Sequence, residues 1–199
     1  MKKWLIPVII IVVLGIIIYT SLKGFNNTAI VKQEDARESW SNVESSYQRR
    51  NDLIGNLVKT VEGAADFERG TLTDVIEARS KATQVTIDPT NITPEQMAQY
   101  QQAQSGVSSA LSRLLVTVER YPDLKANQNF LQLQSQLEGT ENRINVARDR
   151  YNASVTEYNK YVRQFPNTIF AGWFGFDQMV RYEADAGSEN APDVEFDFK

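Results

Sequence analysis

The feature that most constrains this chain is a stretch of nineteen uncharged residues, "WLIPVIIIVVLGIIIYTSL", which lies between Lys3 and Lys23. At about 1.5 Å per residue, a helix of that length covers roughly 28 Å, which matches the hydrocarbon thickness of a bilayer. Trp4 and Tyr19 stand near its two ends, where amphipathic rings favour the membrane interface. The stretch predicts a transmembrane anchor that contacts the lipid bilayer through residues 4–22.

A cleaved signal peptide is the competing interpretation of this stretch. Signal peptides have a shorter apolar core of about 7 to 15 residues and a small-residue cleavage site, whereas "YTSLKGFNN" offers a poor site, so an uncleaved anchor is favoured. Lys2 and Lys3 lie side by side before the core, and Lys23, Lys32 and Arg37 are spread out after it. The adjacent pair favours a cytoplasmic amino terminus. We therefore expect a single-pass protein of the cell membrane with its body on the extracytoplasmic side.

The composition excludes several classes of function. The chain has no cysteine and no histidine, which removes disulfides, thiolate catalysis, imidazole bases and the common zinc sites. From Asp177 onward seven acidic residues outnumber two basic ones, so the rest of the chain is nearly neutral and shows no basic cluster of the kind that binds nucleic acid. We expect no catalytic residue, no metal, no cofactor and no nucleic-acid partner.

The body of the chain shows long helical periodicity. Residues 26–28, "NNT", are good capping residues, and after them seam residues recur at spacings of three and four. This first seam comprises Trp40, Val43, Tyr47, Arg50, Ile54, Leu57, Val61 and Ala64. It continues to Val85, and because Gly63 and Gly70 loosen it, the region is either one bent helix or two.

Two more long helices are predicted after residue 92. "TPEQ" is a helix-start signal, with Thr93 as cap, Pro94 at the first helical position and Gln96 three residues after the cap. The seam that follows ends at Pro122 and comprises Met97, Tyr100, Gln104, Val107, Leu111, Leu114, Val118 and Tyr121. A further segment carries aromatic or aliphatic residues at intervals of seven, namely Phe130, Leu137, Ile144, Tyr151, Tyr158 and Phe165.

These seams must bury one another, and short connections imply antiparallel neighbours. The expected fold class is all-α, with an N-terminal transmembrane helix followed by an antiparallel up-and-down bundle of three to four long helices. We divide the chain into an anchor over residues 1–25, a bundle over residues 26–165, and an aromatic turn with an acidic tail over residues 166–199.

A polar cluster interrupts the first seam at "RRND". Arg50 occupies a seam position and Asn51 a flank, while Glu141 and Asn142 interrupt the apolar series of the last long helix. We hypothesise that Arg50 pairs with Glu141 inside the bundle. Such a buried polar group either fixes helix register or, together with Asn159, forms a ligand or partner site.

Two features follow the last long helix. "NTIFAGWFGF" presents Ile169, Phe170, Trp173, Phe174 and Phe176. This aromatic turn is either a flap over the open end of the bundle or a surface that touches the bilayer or a partner. The final "DVEFDFK" alternates like a strand, which could pair with a sheet edge or cover the bundle, although a solvated acidic end is the default.

Three stretches together resemble the LemA family of bacterial membrane proteins: "YQRRNDLIGNLVKTVEG", "YPDLKANQNFLQLQSQLEGTENRINVARDRYNASVTEYNKYVRQFPNTIFAGWFGF" and "YEADAGSENAPDVEFDF". The resemblance implies a single-span anchor, an antiparallel four-helix bundle and no established catalytic activity. This chain carries Gly55 where the family usually has proline, and glycine also permits a kink.

The sequence leaves three classes of function open. The first is a non-catalytic scaffold or adaptor that binds another, unknown envelope protein. The alternative is a sensory or ligand-binding module with a polar pocket around Arg50 and Glu141. An enzyme is the third, because Asp, Glu, Lys and Tyr alone can support some chemistry, but no set of nucleophile, base and orienting group is evident.

Overall fold

The computed structural model describes residues 4–63 and 67–183, and in these two ranges the regular secondary structure consists of α-helices. They are α1 Leu5–Glu62, α2 Arg69–Gln84, α3 Pro94–Val118, α4 Pro122–Lys125, α5 Gln128–Arg163 and α6 Asn167–Phe174. The predicted all-α class is confirmed. The strand-like "DVEFDFK" lies outside the described residues.

Helix α1 joins the apolar stretch to the bundle without a break. It has 58 residues, which correspond to a length of about 87 Å. The expected cap at residues 26–28 is wrong, because these residues lie inside α1. Continuing an existing helix costs less than nucleating a new one, so three polar residues do not end it. The apolar part is long enough to cross a membrane, and none of it is buried in the bundle.

The four long helices α1, α2, α3 and α5 run up and down. On α1 and α5 the rings of Trp40 and Tyr151 lie 5.0 Å apart, and farther along α1 Arg50 meets Glu141, so residue numbers run in opposite directions. Ion pairs between Asp74 and Arg113 (3.6 Å) and between Glu68 and Arg120 (3.0 Å) show the same for α2 and α3. The antiparallel bundle is confirmed, with four long helices in the part of the chain that the structure describes.

The core has two parts, which follow the predicted seams. The part nearer the apolar stretch is rich in aromatic rings and includes Trp40, Tyr100 and Tyr151, whereas the far part is aliphatic and includes Leu57 and Leu114. The helix-start signal at Thr93 is also confirmed, because its side chain and that of Gln96 form a reciprocal capping box.

The seven-residue series of α5 holds from Phe130 to Tyr158 and fails at Phe165. Phe165 is 81% exposed. The reason is that α5 ends at Arg163 and Gln164 adopts an extended backbone with a ψ of 140°, so the helical phase no longer directs Phe165 toward the core.

The chain then reverses along α5. Gly175, with a φ of 71°, ends α6 in the left-handed region that glycine tolerates best. Residues 177–183 follow as a segment without helix that lies against α5. We call residues 177–183 the return segment.

Candidate functional site

Arg50 is a charged residue in the middle of the bundle, and it is only 2% exposed. Its Nη2 donates to Oε1 of Gln104 at 2.6 Å and to the Gln104 carbonyl at 3.3 Å. Its Nη1 donates to Ser108 Oγ at 3.1 Å and lies 3.4 Å from Oε2 of Glu141. The guanidinium also lies 4.7 Å from the ring centroid of Tyr47. The groups around Arg50 therefore come from α1, α3 and α5, and they tie these three helices together.

The structure brings Arg50 and Glu141 together, but not in the way that the sequence suggested. The Glu141 side chain is 45% exposed, so the pair lies at the edge of the bundle and not inside it. The interior partner is Gln104, which the seam pattern placed on the core face of α3 and which sequence reasoning treated only as a packing residue. A polar residue in an apolar seam is the signal that could have identified it.

The other polar candidates are separate from Arg50. Asn51 is buried, and its Oδ1 has no hydrogen-bond partner among the described residues, whereas Asn142 is exposed. Asn159 lies roughly 27 Å farther along α5 than Glu141, given about 1.5 Å per residue. It binds the backbone of Met179 instead. A single pocket containing Arg50 and Asn159 is therefore excluded by the geometry.

Tyr47 links the Arg50 cluster to the return segment. Its hydroxyl lies 2.8 Å from that of Tyr182, and the guanidinium of Arg148 stacks 3.9 Å above the Tyr182 ring. Burial raises the pKa of Tyr47 and of Tyr182 above the usual tyrosine range. Both hydroxyls are therefore protonated at neutral pH and hold the return segment by hydrogen bonding, not by charge.

The aromatic turn forms α6 and packs on Phe25, which lies three residues beyond the predicted lipid span. The ring of Phe25 lies 5.7 Å from Phe170, 6.2 Å from Phe174 and 5.8 Å from Phe176. It also stacks on Tyr161 of α5 at 5.6 Å. The aromatic turn thus lies at the end of the bundle from which the apolar part of α1 extends.

The two faces of α6 differ in exposure. Phe170 on α6 and Phe176 just beyond the helix are partly buried against Phe25, which is the arrangement of a flap. Away from Phe25, Trp173 is 71% exposed and Ile169 is almost half exposed, while Phe174 contacts the Phe25 ring and is still almost half exposed. The structure therefore divides the predicted aromatic set into a packed part and an open part. Three large, exposed apolar side chains close together on one short helix are typical of a surface that contacts lipid or a partner.

A ladder of hydrogen bonds holds the return segment on α5, and sequence reasoning missed it. Asn159 Nδ2 donates to the Met179 carbonyl at 2.8 Å, and the Met179 N–H donates to Asn159 Oδ1 at 2.9 Å. Asn152 makes the same two bonds with Tyr182. Its Nδ2 donates to the Tyr182 carbonyl at 2.9 Å, and the Tyr182 N–H donates to its Oδ1 at 2.8 Å. Each asparagine therefore satisfies both backbone groups of one residue of the return segment.

Two tyrosines complete this ladder. Tyr158 donates its hydroxyl hydrogen to the Asp177 carbonyl and Tyr151 to the Val180 carbonyl, each at 2.8 Å. Burial raises the pKa of Tyr158 to about 12 and that of Tyr151 further. The signal in the sequence is a Tyr-Asn pair that recurs after seven residues in "RYNASVTEYNKY". Sequence reasoning missed this repeat because the tyrosines are accounted for as core residues and each asparagine lies just outside the core face of the helix.

Comparison with known proteins finds relatives that align with most of the chain. The magnetosome protein MamQ 2 of Paramagnetospirillum magneticum is 27% identical over 174 residues, which cover 79% of this chain and 64% of that protein. MamQ of Magnetospirillum gryphiswaldense is 27% identical over 186 residues, which cover 84% of this chain and 68% of that protein. Protein LemA of Metamycoplasma hominis is 24% identical over 172 residues, which cover 86% of this chain and 71% of that protein. The chain thus spans about two thirds of the length of these curated relatives.

The family comparison covers the bundle and its return segment. The model of the LemA family matches residues 39–196, which contain the packing residues of α1 from Trp40 onward and the whole of α2 to α6. This protein is a membrane-associated, helical member of the LemA family.

Proposed function

We propose that the protein is a non-catalytic scaffold of the cell membrane, which holds its helical bundle in a fixed position against the bilayer and binds another envelope protein. Continuity of α1 supports this proposal. Because α1 runs from Leu5 to Glu62 without interruption, the bundle and the apolar stretch belong to one rod. A flexible linker between them would have favoured a freely moving domain.

The contact between Phe25 and α6 is the observation that carries the proposal. Phe25 lies three residues after the end of the apolar stretch, and its ring packs on Phe170 and Phe174. When α1 crosses the bilayer, the open face of α6 with Trp173 lies at the level of the lipid headgroups. Large aromatic rings are favoured there because one edge can contact acyl chains while the other remains hydrated.

The surroundings of Arg50 favour a scaffold over a module that binds a small ligand. Its two Nη groups already bond Gln104, Ser108 and Glu141, and the residue is 2% exposed. A small ligand would have to displace these groups before it could reach the guanidinium. Using the buried charge to connect three helices needs no such opening.

Fluorescence of Trp173 in lipid vesicles tests the position of α6. The chain has three tryptophans, so the full-length variant Trp4→Phe/Trp40→Phe retains only Trp173. We expect its emission to be quenched by bromine atoms on the upper part of the lipid acyl chains, because the indole lies near the headgroups.

The matched control is Trp4→Phe/Trp173→Phe, which retains Trp40. Trp40 is 2% exposed in the bundle core, so brominated lipids should leave its emission unchanged. If Trp173 were quenched no more than Trp40, α6 would not touch the bilayer and the proposed orientation would be wrong.

The scaffold role itself is tested by crosslinking the full-length protein in its own membrane. A photoreactive residue in place of exposed Val116, on α3 in the far half of the bundle, should capture a defined protein. The same residue in place of Val13 in the apolar stretch, which should face lipid, serves as the control. Capture of the same proteins at both positions would contradict a specific partner site on the bundle.

A further inference from the structure

We infer that α5 carries a binding site for an extended peptide backbone, and that the return segment of a second copy of this chain can occupy it. The site consists of Tyr151, Asn152, Tyr158 and Asn159. In the structure it holds the chain's own residues 177–183. Exchange of these segments would join two membrane-anchored copies.

The spacing of the ladder explains why an extended peptide fits a helix. Seven helical residues rise about 10.5 Å, and three extended residues cover about 10 Å. Asn152 and Asn159 are seven residues apart, and the residues they bind, Tyr182 and Met179, are three apart. The two periods match, so the same pair of bonds is made twice without distortion of either partner.

The site recognises mainly the peptide backbone. All six hydrogen bonds of the ladder end on an N–H or carbonyl group of the return segment. Side-chain selection comes from Met179 and Tyr182, which are 4% and 5% exposed. An occupant therefore needs an extended backbone with an apolar residue and a tyrosine three positions apart. The return segment of any copy of this chain meets that requirement.

The connection before the return segment permits exchange. Residues 164–176 link α5 to the return segment, most of them are exposed, and Gly175 supplies a pivot with a φ of 71°. With α6 kept as a helix of about 12 Å and the remaining five residues extended over about 17 Å, they would cover up to about 29 Å, which exceeds the width of two packed helices at about 10 Å each. Because an exchanged segment makes identical contacts in the neighbouring copy, exchange is a low-cost route to a dimer. Anchoring in one membrane raises the effective concentration of copies further.

Two complementary full-length variants test the exchange in detergent or lipid nanodiscs. Asn152→Ala/Asn159→Ala damages the site and leaves the return segment intact. Met179→Ala/Tyr182→Ala damages the segment and leaves the site intact. A mixed pair still has one intact site facing one intact segment, so co-purification of differently tagged variants should be on the order of tenfold stronger in the mixture than for either variant with itself. Equal co-purification in all three samples would overturn the inference.

A second measurement covers the case in which a variant fails to fold, which circular dichroism would reveal. A fluorescent peptide with the sequence of residues 177–183 is added to the full-length Met179→Ala/Tyr182→Ala protein, whose own segment is weakened. We expect saturable binding, which Asn152→Ala in the same chain weakens by on the order of tenfold, because two hydrogen bonds are lost. Asn145→Ala, at an exposed asparagine on the same helix, is the matched control and should leave binding unchanged. Absence of peptide binding, or equal effects of the two asparagine variants, would overturn the inference.

Discussion

Nη2 of Arg50 on α1 lies 2.6 Å from Oε1 of Gln104 on α3, and both side chains are almost fully buried. This bond lies at the boundary between the aromatic and aliphatic parts of the core. Sliding α1 against α3 by one helical turn would break it and leave the buried Gln104 side chain without its charged donor. The pair therefore specifies the register of the two helices.

Replacing Arg50 by Ala should destabilise the bundle by about 3 kcal/mol, because Gln104 is left buried without its charged donor. The double variant Arg50→Met/Gln104→Leu should recover most of this loss, since two apolar groups replace two polar ones. Urea unfolding of the full-length protein in detergent, followed by circular dichroism, measures both. If the double variant were as unstable as Arg50→Ala, the pair would stabilise the bundle by more than satisfying the hydrogen-bonding groups of its two members.

Much of this fold was predictable because it depends on local periodicity. The seam from Trp40 to Val61 and the sevenfold series from Phe130 to Tyr158 are buried as expected, and the capping box at Thr93 is formed. These features repeat within one or two helical turns, so they depend only on residues that are close together in the sequence. The ring contact between Trp40 and Tyr151 then follows from packing one seam on another.

The features that sequence reasoning missed depend on distant residues. Asn152 and Asn159 bond the return segment, which follows a chain reversal at Gly175. No local pattern predicts that this segment packs back against α5. Residues 26–28 show the opposite case: they are good caps locally, but the helix on both sides prevents them from acting as caps. Local sequence alone could therefore predict neither the bonds to the return segment nor the continuation of α1 through residues 26–28.

Alkaline pH should destabilise the bundle through its buried tyrosines. A tyrosine with a raised pKa in the folded protein holds its proton above pH 10 while the unfolded chain loses it. Its contribution to stability is therefore complete below about pH 10 and disappears as the pH rises through the folded pKa, at about 1.4 kcal/mol per pH unit. For Tyr158, whose folded pKa is about 12, this window runs from about pH 10 to 12.

The measurement is the free energy of unfolding in urea as a function of pH. Tyr158→Phe removes one titrating group, so its stability should fall less steeply with pH than that of the unaltered protein. The comparison uses slopes, because the variant also loses the hydrogen bond to the Asp177 carbonyl at every pH. Identical slopes above pH 10 would show that Tyr158 does not contribute.

Gly139→Ala should stabilise the protein by about 1 kcal/mol, because glycine is costly inside a helix. An added Cβ at Gly139 of α5 meets no other atom within 4 Å. Gly55 of α1 is the comparison: a Cβ there lies 3.4 Å from both Nη atoms of Arg79, so Gly55→Ala should gain less. Thermal unfolding of the two variants checks this order. An equal gain at both positions would mean that Arg79 moves away freely.

The side of the membrane on which the bundle lies can be decided with a single cysteine, because the chain has none of its own. Ser112→Cys places a thiol beside exposed Arg113, in the far half of the bundle, and leaves every charge next to the span unchanged. With an extracytoplasmic bundle, a membrane-impermeant maleimide should label Ser112→Cys in intact cells. The physical basis is the adjacent Lys2 and Lys3, which are retained on the cytoplasmic side more readily than the dispersed charges after the span. Labelling only after permeabilisation would place the bundle in the cytoplasm, and the proposed partner would then have to be a cytoplasmic protein.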